Sequence, residues 1–163
     1  MSMGKLLAYS AMNMGYNVSW IPSYGAEVRG GTAHSMIRIE KNKKISNPVV
    51  SNPNTCIVMS EPSMVKFMVR IKPKGLLLLD DTRIGSVPKR KDIMIKRAPF
   101  TEMAQKIGDR RVANIIAIGA LNKIKSLFPL KELVKCLPLI FQKKQGLVTI
   151  NERALAEGYA LEL

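Results

Sequence analysis

Histidine, cysteine, aromatic side chains and acidic groups are all scarce in this chain. There is one histidine, His34, and there are two cysteines, Cys56 and Cys136, among 163 residues. Two cysteines cannot complete an iron–sulfur site, which takes four thiolates, and no zinc-ligand spacing surrounds them. Cys56 falls in an apolar strand-like run and Cys136 on a helical pattern, so both read as small buried hydrophobes. A disulfide is not expected in a reducing cytosol. A lone histidine titrates in the range useful for acid–base work, but the sequence offers it no Ser–His–Asp or Cys–His set, and no catalytic or metal-ligating residue is assigned. Aromatic residues make up 6% of the chain, and none interleaves with basic groups as a base-stacking platform requires. No apolar run approaches the roughly 18 residues of a membrane span. The start, Met1-Ser2-Met3-Gly4-Lys5-Leu6-Leu7, lacks the long apolar run and cleavage site of a signal peptide. A cytoplasmic location is expected.

Basic groups are not scarce. Lys and Arg number 26 against 12 Asp and Glu, for a net charge of +14. Such a balance implies an anionic partner: nucleic acid, an acidic protein or a phosphorylated cofactor. The charges fall in small groups: Lys41, Lys43 and Lys44; Lys72 and Lys74; Lys89, Arg90 and Lys91; Arg110 and Arg111; Lys143 and Lys144. Most sit at turns or helix ends and read as solvated surface. A basic nucleic-acid-binding α/β module is the rival reading, but the base-reading or stacking groups it needs are not found.

At 47% hydrophobic residues the chain can build a real core, and its length fits one domain, 1–163. Periodicity predicts a helix from Gly4 to Met14, strands at Asn17–Pro22 and Met36–Glu40, and an extended stretch from Ile45 to Pro53. A strand at Thr55–Ser60 and a helix from about Pro62 to Ile71 follow. Leu76 to Leu79, closed by Asp80 and Asp81, has the pattern of a strand buried on both faces. Asp92–Ala98 is a further strand. Thr101–Ile107 is a short helix, with Thr101 as N-cap and Gly108 as stop. Val112–Ile124 should be an interior helix. Leu130–Phe141 is another, bent or ended by Pro138, and Asn151 should cap a last helix that stops at Gly158. The stretch 84–91 reads as a mobile surface loop. Strands alternating with helices predict an α/β fold: three layers, with helices on both faces of a mostly parallel sheet.

The segment Ser23 to Ala33 packs three glycines among Tyr24, Glu27 and Arg29. Glycines allow positive φ and let backbone approach a partner closely. A Glu and an Arg two residues apart could pair with each other, or one could reach outward. Pro22-Ser23-Tyr24-Gly25-Ala26-Glu27-Val28-Arg29-Gly30-Gly31-Thr32-Ala33 is similar to the signature of the gamma subunits of 2-oxoacid:ferredoxin oxidoreductases (the pyruvate-ferredoxin oxidoreductase domain III family), written P-S-Y-G-x-E-x-R-G-G-T-A. Ile45 to Val50, Pro62-Ser63 with Lys66-Phe67, Lys72-Pro73-Lys74-Gly75, Arg111-Val112-Ala113-Asn114 and Ile118-Gly119-Ala120 resemble further family segments in order. Lys74 stands where the family pattern has glycine. The Ser-Tyr-Gly and Arg-Gly-Gly-Thr pieces look more like the 2-oxoglutarate and branched-chain enzymes than the pyruvate type.

The resemblance implies a Rossmann-like fold without the family's usual first strand and Gly-rich loop, so the single gamma-type domain reads as truncated at its N-terminus. A strand supplied by another chain or an adjusted fold would account for the same departure. The resemblance implies a non-catalytic subunit of an oxidoreductase of anaerobic metabolism. That complex would decarboxylate 2-oxoglutarate or a branched-chain 2-oxoacid to an acyl-coenzyme A and pass electrons to ferredoxin. Thiamine diphosphate, Mg²⁺ and iron–sulfur clusters would belong to alpha, beta and, in some complexes, delta partner subunits, and this chain alone would be inactive and bind none of them. Assembly and the placement of coenzyme A would be its part, with no membrane and no specific nucleic acid as partner. Ser23, Tyr24, Gly25, Glu27, Arg29, Gly30, Gly31 and Thr32 would form an interface or coenzyme-A-proximal loop. Asn114 reads either as a polar contact or as a satisfied buried amide.

Overall fold

Two sheets, rather than one, organise the chain. The computed structural model describes residues 1–24, 32–86, 89–141 and 146–163. Along the sequence run α1 (Ser2–Asn13), β1 (Asn17–Ser23), β2 (His34–Glu40), β3 (Thr55–Val58), α2 (Glu61–Met68), β4 (Leu76–Asp80), β5 (Met94–Ala98), α3 (Phe100–Ile107), a 3-10 turn (Arg110–Val112), α4 (Ala113–Lys125), α5 (Leu130–Phe141) and α6 (Gly146–Tyr159). They fall into two compact units, residues 1–50 with 127–149 and residues 51–126 with 150–163.

The first unit is an antiparallel hairpin with helices against it. β1 and β2 pair from Asn17 opposite Glu40 to Ser23 opposite His34. The sequence reading placed both strands without foreseeing that they form a separate antiparallel sheet. α1 packs on both strands and on α5. Its buried Gly4, Leu7, Ala8 and Ala11 recur at helical spacing and make one face. Gly4 is required by a close approach: a Cβ there would lie 2.4 Å from Ser35 Oγ and 2.5 Å from Trp20 Nε1. On the α5 side, Asn13 Nδ2 donates to Cys136 Sγ at 3.3 Å, and Tyr16 meets the edge of Phe128 with ring centroids 6.1 Å apart. Pro138 does not end α5, which continues to Phe141. Proline forfeits a single backbone bond, to the carbonyl of Val134.

The second unit holds a parallel sheet in the order β3-β4-β5. β4 is central, and all five of its residues are buried. Leu77 and Leu79 join Val58, Met64, Ile71, Ile84 and Ile93 in one apolar cluster, which places α2 on that face. Alternation sends Leu76, Leu78 and Asp80 to the other face, where Asp80 meets α3 through Thr101. Helices thus cover both faces, as the leucine run foretold. Burying four leucine side chains contributes about 6–12 kcal/mol, comparable to the whole stability of a domain. β4 is therefore the element this unit can least afford to change.

Two end signals were misread in the sequence. Thr101 is not the N-cap of α3; Pro99 holds that position. Thr101 lies in the first turn, and the Asp80 carboxylate accepts from its N–H at 3.2 Å and from its hydroxyl. A carboxylate at a helix N-terminus is favoured by the exposed N–H groups and the dipole, so a residue from a neighbouring strand does the capping. Asn151 is likewise not a cap: it is buried inside α6, which starts at Gly146. α6 then crosses α4 with backbone against backbone. A Cβ on Gly158 would fall 1.9 Å from the Ile116 carbonyl oxygen, and one on Gly119 would fall 2.2 Å from that of Leu155. Gly108 ends α3 at φ +111°, as its position predicted.

Candidate functional site

The glycine-rich signature connects the two strands of the hairpin. Because Ser23 faces His34 in the antiparallel register, the first and last residues of the connection are neighbours. The signature is therefore carried by the antiparallel hairpin, not by a strand-to-helix turn of the parallel sheet. Ser23 closes β1 and is half-buried, Tyr24 is 70% exposed, and Thr32 is half-buried at the return. Gly25, Glu27, Arg29, Gly30 and Gly31 lie outside the described residues.

The hairpin is fixed along its length. Gly4 admits the Trp20 indole against the first turn of α1. The stretch 43–49 is tied alongside by three bonds: Asn17 Nδ2 to the Lys43 carbonyl at 3.0 Å, Ser19 Oγ to that of Pro48 at 3.4 Å, and Arg38 Nη2 to that of Val49 at 3.3 Å. Asn47 Oδ1 accepts from the Val49 N–H at 2.9 Å, the side-chain turn that favours Asn before Pro. The family-like segment Ile45 to Val50 thus lines the hairpin that carries the signature.

The other expected contact, Asn114, lies in the second unit as the second residue of α4, half-buried. Ahead of it, Asp109 Oδ1 accepts from the Arg111 N–H at 2.9 Å, and the Arg111 guanidinium grips the same carboxylate. That bond holds the Asp109 carboxyl below the usual carboxylate range. Cys56 in β3 is half-buried, and burial pushes its thiol up to about 11, which makes it a poor nucleophile at neutral pH. Among the described residues no group of three or more His, Cys, Asp or Glu is gathered to hold a metal ion, and no helix is long and apolar enough to cross a membrane.

The stretch 84–91, read from sequence as a mobile loop, is pinned on both sides of Val87 and Pro88, which lie outside the described residues. Ile84 is fully buried. Arg97 Nη2 and Nη1 reach the carbonyls of Ile84 at 2.7 Å and Ser86 at 3.0 Å, with Nε on Asp81 at 2.7 Å. Arg90 binds Asp92 and donates to the carbonyls of Met68 and Ile71, both at 2.9 Å, where a guanidinium suits the end of α2. The hydrogen bond from Arg90 holds the Asp92 carboxyl below its ordinary range.

Fold and site define two parts: an α/β unit on a three-stranded parallel sheet, and a helix-packed hairpin whose connection is Gly-rich. The family model described as "Pyruvate ferredoxin/flavodoxin oxidoreductase" matches residues 1–161, and the chain belongs to that family. It is similar to ketoisovalerate oxidoreductase subunit VorA of Methanothermobacter thermautotrophicus, 29% identical over 97% of this chain and 33% of that protein. It also resembles 2-oxoglutarate synthase subunit KorC of Methanothermobacter marburgensis, 33% identical over 62% of this chain and 57% of that protein. Pyruvate synthase subunit PorC of Thermotoga maritima is 27% identical over 97% of this chain and 85% of its own length. The chain thus spans about a third of the length of VorA. In fold it resembles a keto/oxoacid ferredoxin oxidoreductase gamma subunit from Geobacter sulfurreducens, with TM-score 0.81, 21% identity and 97% and 88% of the two chains covered. It also resembles 2-oxoglutarate:ferredoxin oxidoreductase from Magnetococcus marinus, with TM-score 0.86 and 21% identity, over 98% of this chain and 28% of that one.

Proposed function

We propose that this chain is the gamma-type part of a 2-oxoacid:ferredoxin oxidoreductase, that residues 1–163 act as one module, and that it supplies assembly and coenzyme A placement rather than chemistry. The observation that carries the reading is the family match across residues 1–161, which takes in both compact units. The relatives' names span ketoisovalerate, 2-oxoglutarate and pyruvate, so the substrate class is a 2-oxoacid. The signature's Ser-Tyr-Gly and Arg-Gly-Gly-Thr favour the 2-oxoglutarate or branched-chain type. The reaction would convert the 2-oxoacid with coenzyme A to an acyl-coenzyme A and carbon dioxide, with the electrons passing to ferredoxin. Thiamine diphosphate, Mg²⁺ and iron–sulfur clusters carry that chemistry when bound, and we assign them to alpha, beta and, where present, delta partner subunits in the cytoplasm.

The M. marinus structure was solved with 2-oxoglutarate, coenzyme A and succinyl-CoA bound. The signature loop, Ser23 to Thr32, suits a similar nucleotide-bearing ligand or the subunit interface beside it. Tyr24 offers an exposed ring for stacking. Thr32 offers a hydroxyl, and Arg29 a planar fork for phosphate or carboxylate. Asn114 is kept as a further polar contact. The family assignment favours this reading over a basic nucleic-acid module. The test is dye-linked oxidation of 2-oxoglutarate, pyruvate and 2-oxoisovalerate with thiamine diphosphate, Mg²⁺ and coenzyme A. Turnover is expected only when the chain is assembled with its partner subunits. Turnover by the chain alone contradicts the reading.

A further inference from the structure

The fold gathers basic residues that the sequence keeps apart. Arg70, Lys72 and Lys74 precede β4, and Lys89, Arg90 and Lys91 precede β5. β4 and β5 are parallel neighbours with Leu76 opposite Met94, so the residues ahead of them share one edge of the sheet. Two contacts fix this: the Lys74 N–H donates to the Asp92 carbonyl at 2.7 Å, and Arg90 reaches the carbonyls of Met68 and Ile71. Six cations against one carboxylate, Asp92, leave these two segments at +5, six minus one. Arg70, Lys72, Lys74, Lys89 and Lys91 are all exposed.

Two further features mark this edge. Lys74 holds φ +62°, a left-handed conformation that glycine takes freely and a lysine holds only at a cost. A cation is kept where glycine would be relaxed. The end of α2 and its C-cap residue lead into the edge and expose Val65 at 63% and Val69 at 68%, one turn apart. Lys66 and Arg70 flank these valines, and both lie over the Phe67 ring, at 5.5 and 5.8 Å from its centroid.

We propose that this edge, with the exposed face of α2, is the docking surface for an acidic face of another subunit of the complex. The partner would set carboxylates against the lysines and an apolar spot against Val65 and Val69. The inference rests on the reading of the chain as one part of an oxidoreductase complex. Protein is favoured over nucleic acid because Phe67 is the only aromatic residue in these segments and its ring already carries two cations. Single-stranded nucleic acid is held by rings on which bases stack.

The experiment compares the free chain with the assembled complex. Lysines are acetylated with an N-hydroxysuccinimide ester and each rate is read by peptide mass spectrometry, and a carbodiimide then joins lysines to contacting carboxylates. Lys72, Lys74, Lys89 and Lys91 should react roughly tenfold more slowly in the complex and crosslink to Asp or Glu of another subunit. The double variant Lys72→Glu, Lys89→Glu should associate roughly tenfold or more slowly, most severely at low salt. Lys74→Gly should raise the free chain's thermal midpoint by about 2 °C while weakening assembly, an opposition that a purely structural lysine would not give. Assembly with these lysines still fully reactive overturns the inference alone. Protection abolished by nuclease also overturns it, in favour of nucleic acid. A chain that joins no complex overturns the functional reading and this inference together.

Discussion

The central strand of the parallel sheet and the two strands of the hairpin bury their side chains to different extents. Every residue of β4 is buried, whereas every residue of β2 is only half-buried and no residue of β1 is fully buried. β4 is the packed centre of its sheet, with residues fixed by volume, while its neighbours β3 and β5 are mostly half-buried. The hairpin is held along its length by Gly4 of α1 against Trp20 and Ser35 and by the 43–49 stretch, and its connection carries the signature. The role proposed above for the signature, contact with partner or ligand, separates these two regions: binding groups concentrate on loops and packing residues in cores.

The sharpest way to test that contrast is to truncate one aliphatic side chain in each. Leu78→Ala in β4 leaves a cavity in a fully buried site and should cost about 2–5 kcal/mol. Val18→Ala in half-buried β1 should cost roughly 1 kcal/mol. Denaturant midpoints measure both, and equal losses would erase the distinction. A smaller effect separates the two close approaches. Alanine is normally preferred to glycine in a helix by ~1 kcal/mol. Gly158→Ala should nonetheless destabilise by about 1–3 kcal/mol, because its new methyl meets the Ile116 backbone carbonyl. Gly4→Ala meets the side-chain atoms of Ser35 and Trp20 instead, which can shift, and should cost less, about 1 kcal/mol. Calorimetry that ranks Gly4→Ala above Gly158→Ala would contradict the account.

The smallest effect concerns Cys56. Its folded-state pKa, about 11, lies above the ordinary 9.0. The neutral thiol's contribution to stability is therefore complete below pH 9 and is lost as pH climbs toward 11. Iodoacetamide should label Cys56 slowly at pH 8, with a rate still rising beyond pH 9. A rate that levels off near pH 8 would show an activated thiol instead.

Much of the parallel unit was legible because its signals are local. A run of four leucines admits few readings besides a strand covered on both faces, and Gly108 marked its helix end through a conformation that glycine favours. The misreadings came from partners distant in sequence. Thr101 has the composition of a cap, but Asp80, brought alongside by the register of β4 and β5, takes that role. Asn151 looked like a helix start, yet its amide is buried within a longer helix. The basic edge was missed by counting Lys72 and Lys74 apart from Lys89 to Lys91, although parallel pairing of the strands that follow makes them neighbours. The signature was legible as a family mark from Tyr24, Glu27, Arg29 and its glycines. That it joins an antiparallel hairpin was not legible, because half-buried strands such as β1 and β2 give weak alternation.

The central claim, that the hairpin's signature serves the complex and not the fold, is tested most directly by Tyr24→Ala and Arg29→Ala. In the free chain the thermal midpoint should barely move, since surface substitutions cost within about 0.5 kcal/mol. In the reconstituted complex each should impair assembly or 2-oxoacid turnover: Arg29→Ala because truncating one partner of a buried charged contact costs ~2–5 kcal/mol, and Tyr24→Ala because a buried aromatic anchor is lost, at about 2 kcal/mol. Variants that assemble and turn over like the parent would contradict the claim, as would a free chain that unfolds when either side chain is removed.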